Sequence, residues 1–415
     1  MAILQSSDPI IIIGAGMAGL AAAERLRASG FHPLVLEASD RIGGRVRSDR
    51  ANGVVELGAE FIHGARAATW EVLKRANLKT RPYEVDDATP RRFSYGGALQ
   101  PVDWALANQI EAYVARGEQY AGPDISLTEW FKQIAPAGDP AATLARDRIA
   151  RIEAASPDDL SALAVARERQ LNTAGWENFR LPGGYDAVAA TLAEGTRIRL
   201  NAPVTEVSWA SAGAVVTLAS GETLPARAVI LTASLGVMQR GLIRFDPALP
   251  QRKRDAIGRL RMGPASKLIL WFRRAFWPAF SFLGADRQLP SWWRAAEATA
   301  LVGFAGGPDA IRLGELGERA AIEIALAELT ALFGPDARNE FLRGALMDWP
   351  SEPWILGGYS YTPVGAGSAR EDLAEPLSTL FFAGEATSIN GHVGTVHGAI
   401  ESGWRVAAEV MSGMR

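Results

Sequence analysis

The most constraining feature of the sequence lies near its N-terminus, where an apolar run leads into a glycine-rich turn. Ile10–Ile13 are four β-branched residues, which is typical of a strand covered on both faces. The turn Gly14-Ala15-Gly16-Met17-Ala18-Gly19 follows, and the alanine-rich residues 20–28 favour a helix that stops at Gly30. Residues 33–37 predict a second strand that ends in an acid. This order predicts a βαβ unit that binds a dinucleotide.

The glycines and the acid of this unit have different predicted roles. Gly14 permits the tight turn, Gly16 lets backbone N–H groups approach a pyrophosphate, and Gly19 allows the helix and the strand to pack closely. Met17 and Ala18, at the start of the helix, lie at its positive end, which attracts phosphate. Glu37 is expected to accept hydrogen bonds from a ribose diol.

The residues after Glu37 indicate which dinucleotide is bound. In Ala38-Ser39-Asp40-Arg41-Ile42-Gly43-Gly44-Arg45, two glycines let the backbone lie close to phosphates, and the guanidinium groups can neutralise them. The pattern Glu-x-x-x-Arg-x-Gly-Gly-Arg resembles that of the flavin amine oxidases, a group that includes monoamine oxidases, polyamine oxidases, lysine-specific histone demethylases and L-amino-acid oxidases. The resemblance implies FAD as the cofactor. It also implies an α/β fold, with a Rossmann-like FAD-binding domain interleaved with a second, α+β substrate-binding domain.

The resemblance continues in order along nearly the whole chain. Residues 56–64 are similar to the segment that lies beside flavin and substrate in polyamine oxidases, and Val204 stands where the family contacts the adenine region. Ser266-Lys267-Leu268, the stretch from Trp354 to Tyr361, and residues 380–404 also match. The further FAD contacts that the resemblance implies are Ala38, Arg41, Gly43, Gly44, Arg45, Gly58, Ala59, Glu60, Val204, Trp354, Gly384, Glu385, Gly394, Thr395 and Val396.

Three residues are predicted to take part in catalysis. In the family, a lysine at the position of Lys267 holds a water near flavin N5 and assists reoxidation by O2. A lysine that begins an apolar strand is also costly to bury without a partner, although a side chain that reaches solvent is the alternative. Tyr359 is the predicted aromatic wall beside the flavin, with Tyr361 in reserve. His63 matches a pocket residue that polyamine oxidases fill with His or an acid, and it either contacts the substrate or is structural.

Two positions differ from the monoamine oxidases. Gly358 stands where those enzymes carry the cysteine linked to the flavin, and Thr395 stands where they have a second tyrosine. Non-covalent FAD is therefore expected, and Thr395-Val396-His397-Gly398 is more similar to the histone demethylases. Glu60 is a candidate source of negative charge for a cationic substrate.

Composition narrows the function classes further. The chain has no cysteine, which excludes disulfides, thiolate catalysis and cysteine-bound zinc, and no metal site is predicted. The net charge of −3 gives no support for nucleic-acid binding. No apolar stretch is long enough to span a membrane, and only nine residues precede the strand Ile10–Ile13, so a cytoplasmic protein is expected. The sequence does not indicate an oligomeric state.

The predicted domains alternate along the chain. The FAD-binding domain comprises residues 1–66, 195–250 and 370–415, and the substrate-binding domain comprises residues 67–194 and 251–369. The second domain contains a helical block over residues 103–172, a strand over 267–272 and an amphipathic helix over 318–333. Its many aromatic residues are expected to form a core more than a pocket.

The expected reaction removes a hydride from a carbon that bears nitrogen, in an amine or a polyamine. The imine product hydrolyses to a carbonyl compound, and O2 becomes hydrogen peroxide. Two alternatives stay open at this stage. One is an L-amino-acid oxidase or a biosynthetic desaturase of the same superfamily, and the other is a non-catalytic FAD-binding scaffold.

Overall fold

We describe a computed structural model of the chain that covers residues 8–83, 92–95, 98–101, 103–117, 119–280, 282–285 and 289–414. A five-stranded parallel sheet forms its first layer, in agreement with the predicted βαβ unit. Ile10–Ile13 lies at the centre, because its fully buried β-branched residues favour a strand with both faces covered. The strand order is Arg197–Arg199, Leu34–Leu36, Ile10–Ile13, Ala228–Leu231, Leu380–Phe382.

The two faces of this sheet are covered differently. Helices Met17–Ala28 and Val396–Gly413 pack against each other on one face, in a core that contains Ile10, Ile12 and Val406. On the other face, Ile11 and Ile13 pack against a four-stranded sheet. The strands of that sheet, in order, are Thr223–Ala226, Gly213–Leu218, Val204–Ala210 and Arg244–Asp246.

A seven-stranded sheet forms the second large layer. Helix Pro308–Phe333 covers one face, where Leu268 and Leu270 meet its apolar side. The predicted start at residue 318 coincides with a break, because Gly317 has φ of 73° within that helix. The strand order is Phe341–Asp348, Ala265–Phe272, Ala300–Gly306, Ser291–Arg294, Phe282–Ala285, Arg92–Tyr95, Ala98–Pro101.

The predicted helical block forms four helices, and their N-termini are fixed by local side chains. Ser126 accepts a hydrogen bond from the backbone of Glu129, whose carboxylate binds back to Ser126 N, which makes a capping box. Asp139 caps the helix that follows the proline-rich interruption. The helices are Trp104–Gly117, Leu127–Ile134, Pro140–Ile152 and Ala162–Leu171.

Short elements join these layers. Phe61–His63, Asn178–Arg180 and Arg81–Pro82 form a three-stranded sheet, and two-stranded sheets pair Ser48–Asp49 with Val55–Glu56 and Arg261–Gly263 with Tyr359–Tyr361. The short α-helices are Thr69–Arg75, Asp186–Ala193, Leu235–Gln239, Gln251–Arg259, Asp336–Asn339 and Ala369–Ala374, and 3-10 turns occupy Trp349–Ser351 and Glu385–Thr387.

The strands of two sheets lie within the ranges predicted for the FAD-binding domain, whereas two helices of the same core lie outside those ranges. All strands of the parallel and four-stranded sheets fall within residues 1–66, 195–250 and 370–415. Helices Thr69–Arg75 and Asp186–Ala193 lie in the range predicted for the other domain, but their apolar residues join the core of the parallel sheet. We therefore propose that these two helices belong to the cofactor domain. Among the described residues, no helix has the length and apolar character needed to cross a membrane.

Candidate active site

A cavity of about 1400 Å3 is lined by residues from both large layers. Ordinary small-molecule pockets have volumes of roughly 300–1,000 Å3, so this cavity has room for a dinucleotide and a substrate together. Lys267, His63 and Tyr359 line it, as do all of the predicted cofactor contacts except Gly19. The sequence prediction therefore names residues that the fold brings to one place.

One end of the cavity is built by the glycine-rich turn. Gly14 has φ of 108° and donates to Leu36 O at 2.8 Å, which closes the turn. Helix Met17–Ala28 has Gly16 as its N-cap, and no side chain caps it, so its first N–H groups point to the cavity without a competing partner side chain. Gly19 is buried away from the cavity. A Cβ at Gly19 would lie 2.0 Å from Gly14 O, so this glycine acts in packing, as its predicted role requires.

Glu37 and Arg41, next to this turn, both form hydrogen bonds with other groups of the protein. Glu37 accepts hydrogen bonds from Ala15 N at 2.7 Å and Ser39 N at 2.9 Å. Arg41 donates to Gly44 O at 2.8 Å and more weakly to two other carbonyl groups of its loop. Burial lowers the pKa of Arg41, with a contribution from the charge of Arg47. Arg41 therefore braces the loop in addition to its predicted role in neutralising phosphate.

Arg45 and Glu385 connect two predicted segments that are far apart in sequence. Arg45 Nη1 donates to Glu385 Oε1 and to Gly358 O, both at 2.8 Å. Glu385 also accepts from Ser360 Oγ at 2.8 Å and Gly394 N at 3.2 Å. Burial by itself raises the pKa of Glu385, but Arg45, Arg370 and Ser360 together outweigh burial and hold that pKa below its ordinary value. A carboxylate thus fixes Arg45 beside the glycine-rich loop.

Lys267 lies in an ion cluster on the wall of the cavity. Strand Ala265–Phe272 carries it between two neighbouring strands, and its Nζ donates to Glu60 Oε2 at 2.9 Å and to Glu56 O at 3.1 Å. Glu60 also accepts from Trp293 Nε1 at 2.9 Å and lies 2.9 Å from Arg180 Nη2. The carboxylate of Glu60 is thus bonded to protein side chains while it lines the cavity, and its role toward a substrate cation stays a prediction.

His63 faces the cavity from the three-stranded sheet. Its Nδ1 lies 2.6 Å from Asn178 Oδ1, an arrangement that favours the tautomer with the proton on Nδ1. Burial lowers the pKa of His63, and Asn178 offsets this only in part, so the ring is neutral and its Nε2 is an acceptor. His397 lines the same region, and burial together with the charge of His392 lowers its pKa to about 3.

Tyr359 forms another part of the wall. Its hydroxyl donates to Ile152 O at 2.6 Å, and burial raises its pKa, so the phenol stays neutral. A Cβ at Gly394 would lie 3.2 Å from Tyr359 Cδ2, which places the ring against the turn before the last helix. Tyr361, the reserve choice, is absent from the cavity lining. It is buried, and its hydroxyl donates to Asp159 Oδ2 at 2.6 Å, so it does not form this wall.

Comparisons with known proteins agree with this geometry. The model of the family described as flavin containing amine oxidoreductase matches residues 17–411. The chain belongs to this family. Among its relatives, polyamine oxidase 2 of Arabidopsis thaliana is 32% identical, over 97% of this chain and 88% of that protein.

Solved structures of amine oxidases have the same fold. Wild-type putrescine oxidase bound to putrescine is 23% identical with a TM-score of 0.85, covering 98% of this chain and 99% of that chain. Cyclohexylamine oxidase from Brevibacterium oxydans is 22% identical with a TM-score of 0.84 and the same coverage. At this level of identity, the two structures support the α/β fold with its Rossmann-like FAD-binding layer.

FAD is the cofactor of this amine oxidoreductase, and the cavity fits it. A Cβ at Gly16 would meet no atom within 4 Å, so the turn leaves open space where a pyrophosphate can lie. At the other end, helix Val396–Gly413 begins at the cavity, with Thr395 as its N-cap, and its positive end favours negative charge on a bound flavin. Because the chain has no cysteine, a thioether link to the flavin is excluded.

The prediction missed several residues of the site. Asn178 and Arg180 lie on a strand that pairs with Phe61–His63, more than 100 residues earlier in the chain, and no local motif marks them. Trp293 belongs to an aromatic run for which the sequence favours a core role. Trp292 has that core role, whereas Trp293 faces the cavity. The only sequence signal for this difference is the alternation of side chains along a strand, which points two adjacent tryptophans to opposite sides.

Proposed function

We propose that this chain oxidises the C–N bond of an amine or polyamine, with Lys267, His63 and Tyr359 as its catalytic residues. One observation carries this proposal: the three side chains line the same cavity as the glycine-rich turn Gly14–Gly19 and the loop that follows Glu37. Bound FAD would supply the acceptor for the hydride of the substrate carbon and would return two electrons to O2, which would yield hydrogen peroxide. The imine then hydrolyses to a carbonyl compound and an amine.

His63 and Tyr359 prepare the substrate. A cationic amine must lose a proton before its carbon can release a hydride, and the neutral His63 ring offers Nε2 as an acceptor for that proton. The Tyr359 ring limits where the amine can lie, because its hydroxyl is fixed by Ile152 O. Phe61, Trp293 and Phe304 add apolar surface to the cavity and restrict water.

Acidic residues support an extended, polycationic substrate. Glu168 lines the cavity, and burial raises its pKa to about 7, with Arg370 only partly opposing that effect. A second ammonium group near Glu168 would favour the ionised carboxylate and would bind to it. Further acids that line the cavity include Asp103, Asp147, Glu153 and Asp309.

Arginines of the cavity lie beside carboxylates of the protein, which favours an amine over an α-amino acid as the substrate. An amino-acid substrate needs a guanidinium to bind its carboxylate. Arg169 lies 3.4 Å from Glu153, and Arg151 lies 3.6 Å from Asp309, so each of these cavity arginines has a carboxylate of the protein beside it. No observation on the described residues favours the desaturase alternative.

A substrate panel tests the proposal. The purified protein is incubated with spermine, spermidine, putrescine, aromatic monoamines and L-amino acids, and peroxide release and anaerobic bleaching of the flavin are measured. Bleaching and peroxide with amines, but not with amino acids, are expected. Turnover of L-amino acids alone would overturn the proposal in favour of an amino-acid oxidase, and a flavin that no compound reduces would support the non-catalytic alternative.

A further inference from the structure

The side chain of Lys267 is buried and bonded to two groups of the protein, whereas a lysine near a strand end can extend to solvent without such partners. Lys267 and Glu60 have side-chain exposures of only 9% and 7%, and Nζ and Oε2 are 2.9 Å apart. A second N–H of the ammonium donates to Glu56 O. An ammonium group has three donors, so one N–H is left for the cavity that Lys267 lines.

The surroundings of Glu60 make it a suitable anchor. Trp293 Nε1 donates to both of its oxygens, at 3.0 and 2.9 Å, and Arg180 approaches its Oε1. The guanidinium of Arg180 lies over the rings of Phe61 and Tyr83, at 5.0 and 4.5 Å from their centroids. The carboxylate is therefore fixed on two sides before it meets Lys267.

Charge explains why this anchor stays ionised. Burial by itself raises the pKa of Glu60, but the charges of Lys267 and Arg180 outweigh burial and hold that pKa below its ordinary value. The groups that face Lys267 from the neighbouring elements are Glu60, the Glu56 carbonyl and carboxyl groups, and Arg180 through Glu60. Among them Glu60 is the one whose carboxylate is bonded to Nζ.

We propose that Glu60 is a positioning residue that fixes the Nζ group of Lys267 and directs its remaining N–H into the cavity, at the side where the flavin reacts with oxygen. The inference deepens the proposed function and rests on it, because the role of Lys267 toward O2 belongs to that proposal. A charged, fixed donor stabilises negative charge that develops on oxygen, whereas a neutral amine does not.

Lysine NMR tests the positioning directly and without turnover. The chain has five lysines, so the holoenzyme labelled with 13C at lysine Cε gives few resonances, and Lys267→Met identifies the Lys267 signal. In Glu60→Gln, that signal should shift and broaden relative to the wild type, because the ammonium group loses the carboxylate that fixes it.

Lys253 provides an internal reference for this comparison. It is buried and donates to the carbonyl groups of Asp372, Leu373 and Glu375, far from the substitution in the sequence. Its signal should be the same in both proteins. A Lys267 signal with the same position and width in the wild type and in Glu60→Gln would overturn the proposal.

Stopped-flow kinetics then test the consequence for oxygen. Reoxidation of the reduced Glu60→Gln enzyme should be slower by about tenfold or more, with flavin reduction by amine changed less, and Glu60→Asp should recover part of the rate. Glu297→Gln is the matched control, since Glu297 borders the same ion cluster but pairs with the exposed Arg81 at 3.1 Å. Equal reoxidation rates in Glu60→Gln and the wild type would contradict the inferred effect of Glu60 on the reaction with oxygen.

A double variant covers the case in which Glu60→Gln does not fold. Glu60→Gln with Arg180→Gln removes one anion and one cation, so the net charge of the cluster is kept while Lys267 still loses its partner. The same shift of the Lys267 signal is expected, and its absence counts against the proposal. If no amine reduces the flavin, the proposed function fails, but the NMR result still decides whether Glu60 holds Lys267.

Discussion

The Nδ1 atom of His63 lies 2.6 Å from Oδ1 of Asn178, across two strands that are distant in the sequence. This contact fixes the ring and leaves Nε2 toward the cavity as an acceptor. Since burial lowers the pKa of His63, the neutral ring persists at the pH at which amines are cationic. We propose that the pair acts as one unit, in which Asn178 orients the ring and His63 meets the substrate.

Replacing Asn178 should change the pH dependence of flavin reduction. In Asn178→Asp, a carboxylate would favour the imidazolium form, and a cationic His63 repels a cationic amine. We expect the acid limb of kcat/KM to move to higher pH, with the rate at alkaline pH changed little. The measurement is the rate of anaerobic flavin reduction across pH. An unchanged acid limb would show that His63 does not meet the substrate amine.

Lys267→Met should separate cofactor binding from oxygen reactivity. Lys267 has no contact with the glycine-rich loop, so the variant should bind FAD normally. Loss of the ammonium group should slow oxygen-dependent turnover by about tenfold or more. Reoxidation is followed by stopped-flow absorbance, and the flavin content of the purified variant is the control. Unchanged kinetics would remove Lys267 from the mechanism.

Arg45→Ala should weaken FAD binding without preventing folding. Arg45 is partly exposed to the cavity, and its Nη1 is fixed by Glu385 and Gly358 at the edge of the phosphate loop. Loss of a charged hydrogen-bonding group costs roughly 1.5–3 kcal/mol, so the Kd for FAD should rise on the order of tenfold to a hundredfold. Isothermal titration of the apoprotein measures this. Arg50→Ala, which removes a partly exposed pair with Asp186, is the control and should bind FAD normally.

The parts of the fold and site that the sequence predicts are those encoded by contiguous residues. The βαβ unit and the Arg41–Arg45 loop each combine turn geometry and charge within a few positions. Lys267 is also predictable, because a lysine in an apolar strand requires a partner. The identity of that partner is not, since Glu60 reaches it across 207 residues.

The remaining features depend on tertiary contacts. Nothing near Arg180 or Asn178 in the sequence distinguishes them from ordinary polar residues of a short strand, and their roles arise from the pairing with Phe61–His63. Glu60 illustrates the same limit. From the sequence alone, this acid is as consistent with binding a substrate cation as with pairing to a side chain of the protein. Only the structure shows that the carboxylate of Glu60 contacts Lys267 and Arg180.

Two glycines of one turn should respond differently to alanine. A Cβ at Gly19 would lie 2.0 Å from the Gly14 carbonyl, so Gly19→Ala should destabilise the apoprotein by about 1–3 kcal/mol. Gly16 has an ordinary φ of −75° and open space around it, so Gly16→Ala should leave apoprotein stability unchanged but obstruct the phosphates. Thermal unfolding of the apoprotein and FAD titration distinguish the two effects. Equal losses of stability would contradict this assignment.

Glu56 should make the stability of the protein depend on pH. It is 7% exposed, and burial raises its pKa to about 7 from 4.5, although Tyr185 N and Ser48 Oγ donate to it. As pH rises from 4.5 to 7, the unfolded chain releases this proton while the folded protein keeps it. The folded state therefore loses stability through this window, by up to about 3 kcal/mol for this group, and the loss stays constant above it.

Glu56→Gln removes this titration and keeps an acceptor for Tyr185 N and Ser48 Oγ. Relative to the wild type, the variant should gain stability between pH 5 and 7.5, measured as the free energy of unfolding in urea at saturating FAD. Glu297→Gln is the control, because its partner Arg81 is largely exposed and no such gain is expected. If Glu56→Gln and the wild type have the same dependence of stability on pH over this range, the carboxyl group of Glu56 does not keep its proton in the folded protein.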